Sequence, residues 1–419
     1  MRGQYEVAEV IRQFLPQMNT TKMLVHHRKT LSALRRCRTA ELGGHINGCN
    51  DCGHIRISYN SCRNRHCPKC QGVNKEMWIV QQEDMLLSVA YFHVVFTLPH
   101  ELNELCLHQP KFMYDLLFQA AWHTLKTFAK DPKWLGAKTA ATMVLHTWSQ
   151  TLILHPHVHC IVPNGGLTKE TNTFRWQFPK QSKGKREGNF LFPITGIKKV
   201  YKGYFLAQLK SAIDRGELPL PPNFPMGKNY QAWKDVLYKK EWVVYTKKPF
   251  SSKGGVKHVV NYLGRYSHRV ALTNYRVKNI NENEVVFQYK DYKDGAKKKL
   301  MTLAGTEFLR RFCLHILPPG FRKVRQYGFM SNASKSKSLE LARLALGEKM
   351  KQLLTRKERK EKALERLFGE KVNRCPCCEK GIMAGIYSWE AAYRKTKNKS
   401  PPINIFRSAQ QKNNILTKF

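Results

Sequence analysis

The stretch His155-Pro156-His157-Val158-His159-Cys160-Ile161-Val162 decides how this chain is read. In a β-strand, residues i, i+2 and i+4 face the same side. His155, His157 and His159 therefore line one face, stepping about 6.6 Å per pair, while Val158, Cys160 and Val162 turn the other way. Pro156 favours a strand start or an edge position, which makes His157 and His159 the safer pair. Alternating imidazoles on one face suit a divalent metal, and a third ligand is expected. His146, within the apolar run Ala141–Trp148 that reads as the adjacent strand, is the first candidate, followed by His155 and His258. Imidazole donors alone suit zinc, copper or iron better than magnesium, so these residues do not name the ion. Three protein ligands would leave positions open for a substrate phosphate.

Other segments supply a scaffold. Tyr91–Leu98 is aromatic and β-branched and reads as a strand. Pro110–Phe128 and Val200–Arg215 carry apolar residues at helical spacing. Glu241–Thr246 is a further strand. Val277 and Val285–Tyr289 flank a turn at Asn281–Asn283 and read as a hairpin. A helix is expected over Thr302–Leu317, and another over Ser338–Leu367. Residues 394–419 are polar and basic.

A second motif is Tyr262-Leu263-Gly264-Arg265-Tyr266, in a segment expected to be helical over Val256–Ala271. Residues at i and i+4 stack on one helix face, so two phenols stand side by side. A phenol can attack phosphorus and hold DNA as a phosphotyrosine ester, without ATP. The chain has no Gly-x-x-x-x-Gly-Lys-Ser/Thr loop, in keeping with ATP-independent chemistry. Lys257, Arg265 and Arg269 are placed to lower a phenol pKa or to bind phosphate. Val259, Leu263, Tyr266 and Val270 also form an apolar stripe, so core packing is the competing reading of this helix.

The third motif is rich in cysteine. Cys49-x-x-Cys52 and Cys67-x-x-Cys70 have the spacing of two turns that share one tetrahedral, structural zinc. Cys62, His45, His54 and His66 are spare candidates nearby. Arg56, Arg63, Arg65 and Lys69 in the same segment are candidates for gripping phosphates. Cys375 and Cys378 form a lone Cys-x-x-Cys turn without an obvious partner pair and stay unassigned.

The 419 residues carry 72 Lys+Arg against 30 Asp+Glu, a formal charge of +42. Such a balance attracts polyanions, DNA above all, with salt-dependent affinity. A hydrophobic content of 42% excludes a disordered basic tail. No signal peptide and no run long enough for a membrane span stand out. A cytosolic protein is expected.

In these residues the chain resembles the IS91-type transposases of bacterial insertion sequences, which carry a His-hydrophobe-His (HUH) motif and two tyrosines. The resemblance runs through Cys49–Gln71, Leu145–Gly166 and Asn261–Asn274, in the family's order, and covers about residues 10 to 330. It implies an α+β fold: an HUH endonuclease-like central antiparallel sheet with flanking helices, preceded by a small Cys-rich zinc-binding module and followed by a basic helical tail. The division expected is residues 1–88 for the helical and zinc-binding DNA-recognition module, 89–320 for the nuclease, and 321–419 for the partly disordered basic helical region. It implies that His157 and His159 hold magnesium or manganese, and that Tyr262 and Tyr266 are the nucleophiles. It also implies cleavage of single-stranded DNA at the element's ends, leaving a 5′-phosphotyrosine and a free 3′-hydroxyl, with strand transfer by a rolling-circle mechanism. A homodimer is compatible with this reading. The alternatives are a plasmid replication initiator or mobilisation relaxase using the same chemistry, and a non-enzymatic zinc-dependent DNA-binding protein.

Overall fold

Tyr91–Thr97 and Ala140–Trp148 are buried along their whole length. Strands covered on both faces read as near-continuous apolar runs, and both lie inside the largest sheet. The computed structural model describes residues 4–171, 173–180, 191–225, 228–247, 259, 264, 270–350, 352–369 and 373–390.

In chain order the described elements are α1 (Val7–Phe14), α2 (Val25–Arg35), β1 (Gly43–Cys49), β2 (Ile55–Tyr59), α3 (Gln71–Met85), β3 (Tyr91–Thr97), α4 (Asn103–His108), α5 (Pro110–Lys130), β4 (Ala140–Trp148) and β5 (Leu154–Pro163). They continue with β6 (Gly166–Glu170), β7 (Thr173–Gln177), α6 (Ile194–Asp214), α7 (Lys228–Lys239), β8 (Val244–Thr246), β9 (Val277–Ile280), β10 (Glu284–Asp291) and β11 (Lys297–Ala304). The last are α8 (Gly305–Cys313), β12 (Val324–Gly328), α9 (Lys335–Ala345), α10 (Arg356–Phe368) and β13 (Met383–Glu390).

The chain packs as two units, Met1–Arg35 with Asn64–Glu370, and Arg36–Arg63 with Lys371–Phe419. The larger unit is built on a five-stranded sheet of order β12-β4-β5-β3-β8, antiparallel at every pairing. Phe92, Val94 and Phe96 of β3, Met143 and Leu145 of β4, and Val158, Cys160 and Val162 of β5 bury one face of it. They pack against Leu117, Phe118 and Ala121 of α5 and Tyr201, Phe205 and Leu209 of α6. The opposite face carries the histidines. Because β12 belongs to this sheet, the sheet extends past the boundary read at residue 320.

The smaller unit is a three-stranded sheet of order β13-β1-β2. β13 pairs antiparallel with β1 from Gly43↔Glu390 to Cys49↔Met383. The region read as a basic helical tail therefore also supplies two strands, β12 and β13.

Two helices differ from the sequence expectation. Residues 302–304 close strand β11, whose pairing with β10 runs from Asp291↔Lys297 to Glu284↔Ala304, and the helix begins only at Gly305. The helix expected over Ser338–Leu367 is two, α9 and α10. Gly347, at φ +68°, takes the left-handed conformation that ends α9. Its N–H donates to the Leu344 carbonyl, and that of Glu348 to the Arg343 carbonyl.

Candidate active site

The β4–β5 hairpin sets the site by register. His146 stands directly opposite His157, and Val144 opposite His159. Directly opposed residues of an antiparallel pair share a face, so His146, His157 and His159 converge. The ring centroids are 5.5 Å apart for His146–His157, 4.6 Å for His146–His159 and 4.9 Å for His157–His159. One nitrogen from each lies within 4.8 Å of the others. His146 and His159 are buried, and His157 is half-buried. His155 is exposed and outside this group, while His258 lies outside the described residues.

The rings are aimed by neighbours. His157 Nδ1 lies 2.6 Å from the His155 carbonyl oxygen. A carbonyl only accepts, so Nδ1 carries a proton there and the contact fixes the ring's orientation. His159 Nδ1 lies 2.9 Å from His93 Nε2, and the two rings stack at 5.1 Å and 11°. Burial, helped by the Lys247 and His157 charges, pushes His93 down to about 3, so it is neutral at physiological pH. The contact engages the His159 ring through Nδ1 and orients its other nitrogen, Nε2, away from His93. His146 stacks on Trp148 at 4.5 Å.

The hairpin turn is clamped from outside the sheet. Buried Arg276 donates to the carbonyls of Gln150 (2.5 Å), Ala271 (3.3 Å) and Gln288 (2.7 Å). Arg311 donates to Thr151 O at 3.2 Å. His315 Nε2 donates to Leu152 O at 3.0 Å, and its Nδ1 faces the Thr147 hydroxyl at 3.2 Å. Leu152 itself sits at φ +62°, a conformation uncommon for a branched side chain. Three donors therefore hold the turn in place, and burial pushes His315 down to about 4.

Tyr262 and Tyr266, with Lys257, Arg265 and Arg269, lie outside the described residues. Two described neighbours are informative. Val259 is buried in a cluster with Ile79, Leu86, Tyr91 and Ile161. Ile161 is two residues beyond His159 and on the same face of β5. Gly264, helical, leaves no room for a Cβ because the Ile79 side chain of α3 occupies that space.

The thiols group differently from the sequence expectation. Cys49 and Cys52 do not share a group with Cys67 and Cys70. The sulfurs of Cys37, Cys62, Cys67 and Cys70 form one set, and those of Cys49, Cys52, Cys375 and Cys378 another, each within 4.8 Å. The reason is the length of the β1–β2 hairpin. Cys49 and Cys52 are at its tip, where Gly48 pairs with Ile55. Cys62 follows its base, where the Asn60 N–H donates to Gly43 O. A seven-residue strand spans roughly 20 Å, too far for one ion. The Cys62 N–H points at Cys37 Sγ, 3.5 Å away. Cys37 was missed because no second cysteine stands near it in sequence; Cys375-x-x-Cys378 was visible but lacked its partners.

The candidate phosphate-gripping residues also separate. Arg56 and Arg63 are exposed. Arg65 is committed to the protein, donating to the carbonyls of Phe321 (2.5 Å), Leu317 (3.3 Å) and Pro318 (2.7 Å). Lys69 is paired with Glu6. The sequence shows charge but not what a half-buried guanidinium bonds to, and Arg65 has a structural role.

Comparison with known proteins places these features in order. Residues 140–337, which hold the three histidines, match a family model described as "Putative transposase". Residues 9–98, with six of the eight grouped cysteines, match "Transposase zinc-binding domain". The chain is 38% identical over 389 residues to "Putative transposase y4qJ" of Sinorhizobium fredii, covering 91% of this chain and 94% of that protein. It is 28% identical over 310 residues to "Transposase for insertion sequence element IS801" of Pseudomonas savastanoi pv. phaseolicola, covering 73% and 70%. No solved structure matches. The zinc-binding match and the thiol sets together support structural zinc in the N-terminal region. The chain is a DNA-processing enzyme, and it belongs to the IS91 family of insertion-sequence transposases.

Proposed function

We propose that this transposase nicks single-stranded DNA at the ends of its element by tyrosine attack and transfers the strand by a rolling-circle mechanism. The observation that carries the proposal is the convergence of His146, His157 and His159 on one sheet face, with one ring nitrogen of each within 4.8 Å of the others. Three imidazole nitrogens converging on one point fit a divalent cation with positions left for oxygen ligands. Magnesium or manganese is the proposed ion, although imidazole itself is the softer partner. Such an ion supplies Lewis-acid polarisation of a bound phosphodiester.

The chain's own residues do the rest. The phenol oxygen of Tyr262 or Tyr266 attacks phosphorus, forming an O–P bond while the bond from phosphorus to the 3′-oxygen breaks. The phenol proton is given up and the departing 3′-oxygen takes one. One phosphodiester is exchanged for another, so no ATP is consumed, and a second tyrosine permits a second exchange on a second strand. Support for placing the tyrosines near the histidines comes from Val259 and Gly264, which meet Ile161 and Ile79 on that side of the fold. Exposed Arg56 and Arg63, together with Lys257, Arg265 and Arg269, are the proposed phosphate contacts.

The test is a denaturing gel. Protein, Mn2+ and single-stranded oligonucleotides carrying the element's end are expected to give a band that survives denaturation. That band is lost in the Tyr262→Phe, Tyr266→Phe double variant. A purely DNA-binding protein gives native-gel shifts and no such band.

A further inference from the structure

The described residues of the smaller unit form almost no apolar core. Among its described residues, the buried side chains of apolar character are the cysteines Cys37, Cys49 and Cys375. Ile55 and Ile57 of β2 are 56% and 58% exposed, and Ile386 of β13 is 46% exposed. A three-stranded sheet with so little burial needs another source of stability, and a structural metal is the usual one.

The thiols are arranged for it. Cys49 Sγ lies 3.7 Å from Cys378 Sγ, and Cys52 Sγ lies 3.6 Å from Cys375 Sγ. A tetrahedral zinc with Zn–S bonds of about 2.3 Å has S···S edges of about 3.8 Å. A disulfide would bring one pair to about 2.05 Å. The separations match the first geometry.

The backbone around each pair is built as a matching turn. The N–H groups of Asp51 and Cys52 point at Cys49 Sγ (3.4 and 3.5 Å), and that of Cys377 at Cys375 Sγ (3.4 Å). The Gly381 N–H points at Cys378 Sγ (3.3 Å). Amide hydrogens aimed at sulfur stabilise the thiolate that a metal requires. The residue after the second cysteine is left-handed in both turns, Gly53 at φ +71° and Glu379 at φ +56°. Each turn closes on the N–H of its first cysteine, Cys49 to His54 O (2.9 Å) and Cys375 to Gly381 O (2.8 Å). The turns dock through Asn50, whose N–H donates to Ile382 O and whose Oδ1 accepts from the Ile382 N–H. A Cβ on Gly381 would collide with the Cys49 sulfur.

We infer that Cys49, Cys52, Cys375 and Cys378 bind a second structural zinc, distinct from the ion of Cys37, Cys62, Cys67 and Cys70. Each thiol releases its proton as its sulfur ligates. Cys375 and Cys378 lie beyond both family-matched ranges, 9–98 and 140–337. The site closes a loop of more than 320 residues and fixes β13 to β1.

The test measures metal on the purified full chain. Elemental analysis is expected to find about two zinc ions per chain, since each four-thiol set closes one site. The Cys375→Ser, Cys378→Ser variant is expected to hold half as much. Cobalt substitution is expected to give thiolate-to-metal absorption that this variant also halves. Amides of 383–390 are expected to lose most of their hydrogen-exchange protection while those of β4 and β5 keep theirs. The Cys378→His variant, which preserves four ligands, is expected to retain both ions, and this covers the case in which the serine variant fails to fold. One zinc in the wild-type chain, full zinc content in the serine variant, or a Cys49–Cys378 or Cys52–Cys375 disulfide in mass spectra of protein purified under reducing conditions overturns the inference.

Discussion

His93 lies behind His159, ring on ring, with His93 Nε2 2.9 Å from His159 Nδ1. That contact makes His93 a positioning residue for the candidate metal site. His93→Phe keeps the bulk and removes the hydrogen-bonding partner of His159. It is expected to weaken Mn2+ binding, read by calorimetry, by roughly 10- to 100-fold, with little loss of thermal stability. His93→Gln, which keeps a hydrogen-bonding group, is expected to recover part of the affinity. Equal affinity in all three proteins contradicts the assignment.

Arg276 is 5% exposed and hydrogen-bonds to three carbonyls on three separate segments, while its guanidinium lies 5.7 Å from the Phe287 ring centre. Arg276→Met leaves those acceptors unsatisfied. A loss of about 2–4 kcal/mol is expected, at about 1–3 kcal/mol per stranded group with partial relaxation. Urea unfolding measures it, and a change under 0.5 kcal/mol contradicts the clamp.

His315 gives a pH dependence with a definite sign. Its folded pKa is depressed to about 4 by burial, against an ordinary value of 6.5. The unfolded chain therefore binds a proton between pH 6.5 and 4 that the folded chain refuses. The stabilisation is fully present above pH 6.5 and is lost as the pH falls towards 4, at about 1.4 kcal/mol per pH unit. His315→Gln, able to meet both partners without titrating, is expected to lose about 2 kcal/mol less than wild type between pH 7 and pH 5. Parallel stability–pH curves contradict this.

Gly264 lies against the side chain of Ile79. Gly264→Ala is expected to cost about 1–3 kcal/mol through overpacking and to slow DNA cleavage, because the segment between the tyrosines is displaced. Ile79→Ala in the same chain, which removes both the Cδ1 and the Cγ1 that the new Cβ would meet, is expected to restore part of both. Independent, additive effects of the two substitutions in a double-mutant cycle count against the contact.

The parts of this molecule legible in the sequence are those encoded by short-range pattern. The period-two alternation of His157, Val158, His159 and Cys160 shows which side is core and which is polar, and the central sheet follows from such runs. His146 was a candidate because an apolar strand preceding a short polar turn pairs back in register. Long-range choices were not legible. Nothing in Cys49-x-x-Cys52 says whether its partner pair lies 15 residues on or more than 320, and spacing alone favours the nearer pair. Arg65 looked like a surface cation because charge is visible in sequence and three backbone acceptors are not. β13 was hidden in a basic tail because its strand character depends on β1 being there to pair with.

The proposed chemistry is tested most directly by finding where the DNA is attached. Trypsin cleaves after Lys257, Arg265 and Arg269, so Tyr262 and Tyr266 fall in different peptides, His258–Arg265 and Tyr266–Arg269. Wild-type protein is incubated with Mn2+ and a single-stranded oligonucleotide bearing the element's end, then digested with nuclease and trypsin. The expected result is a nucleotide mass on one or both of these peptides, at least tenfold less abundant in the His157→Ala, His159→Ala variant. Nucleotide on any other peptide, or an undiminished adduct in the histidine variant, contradicts it.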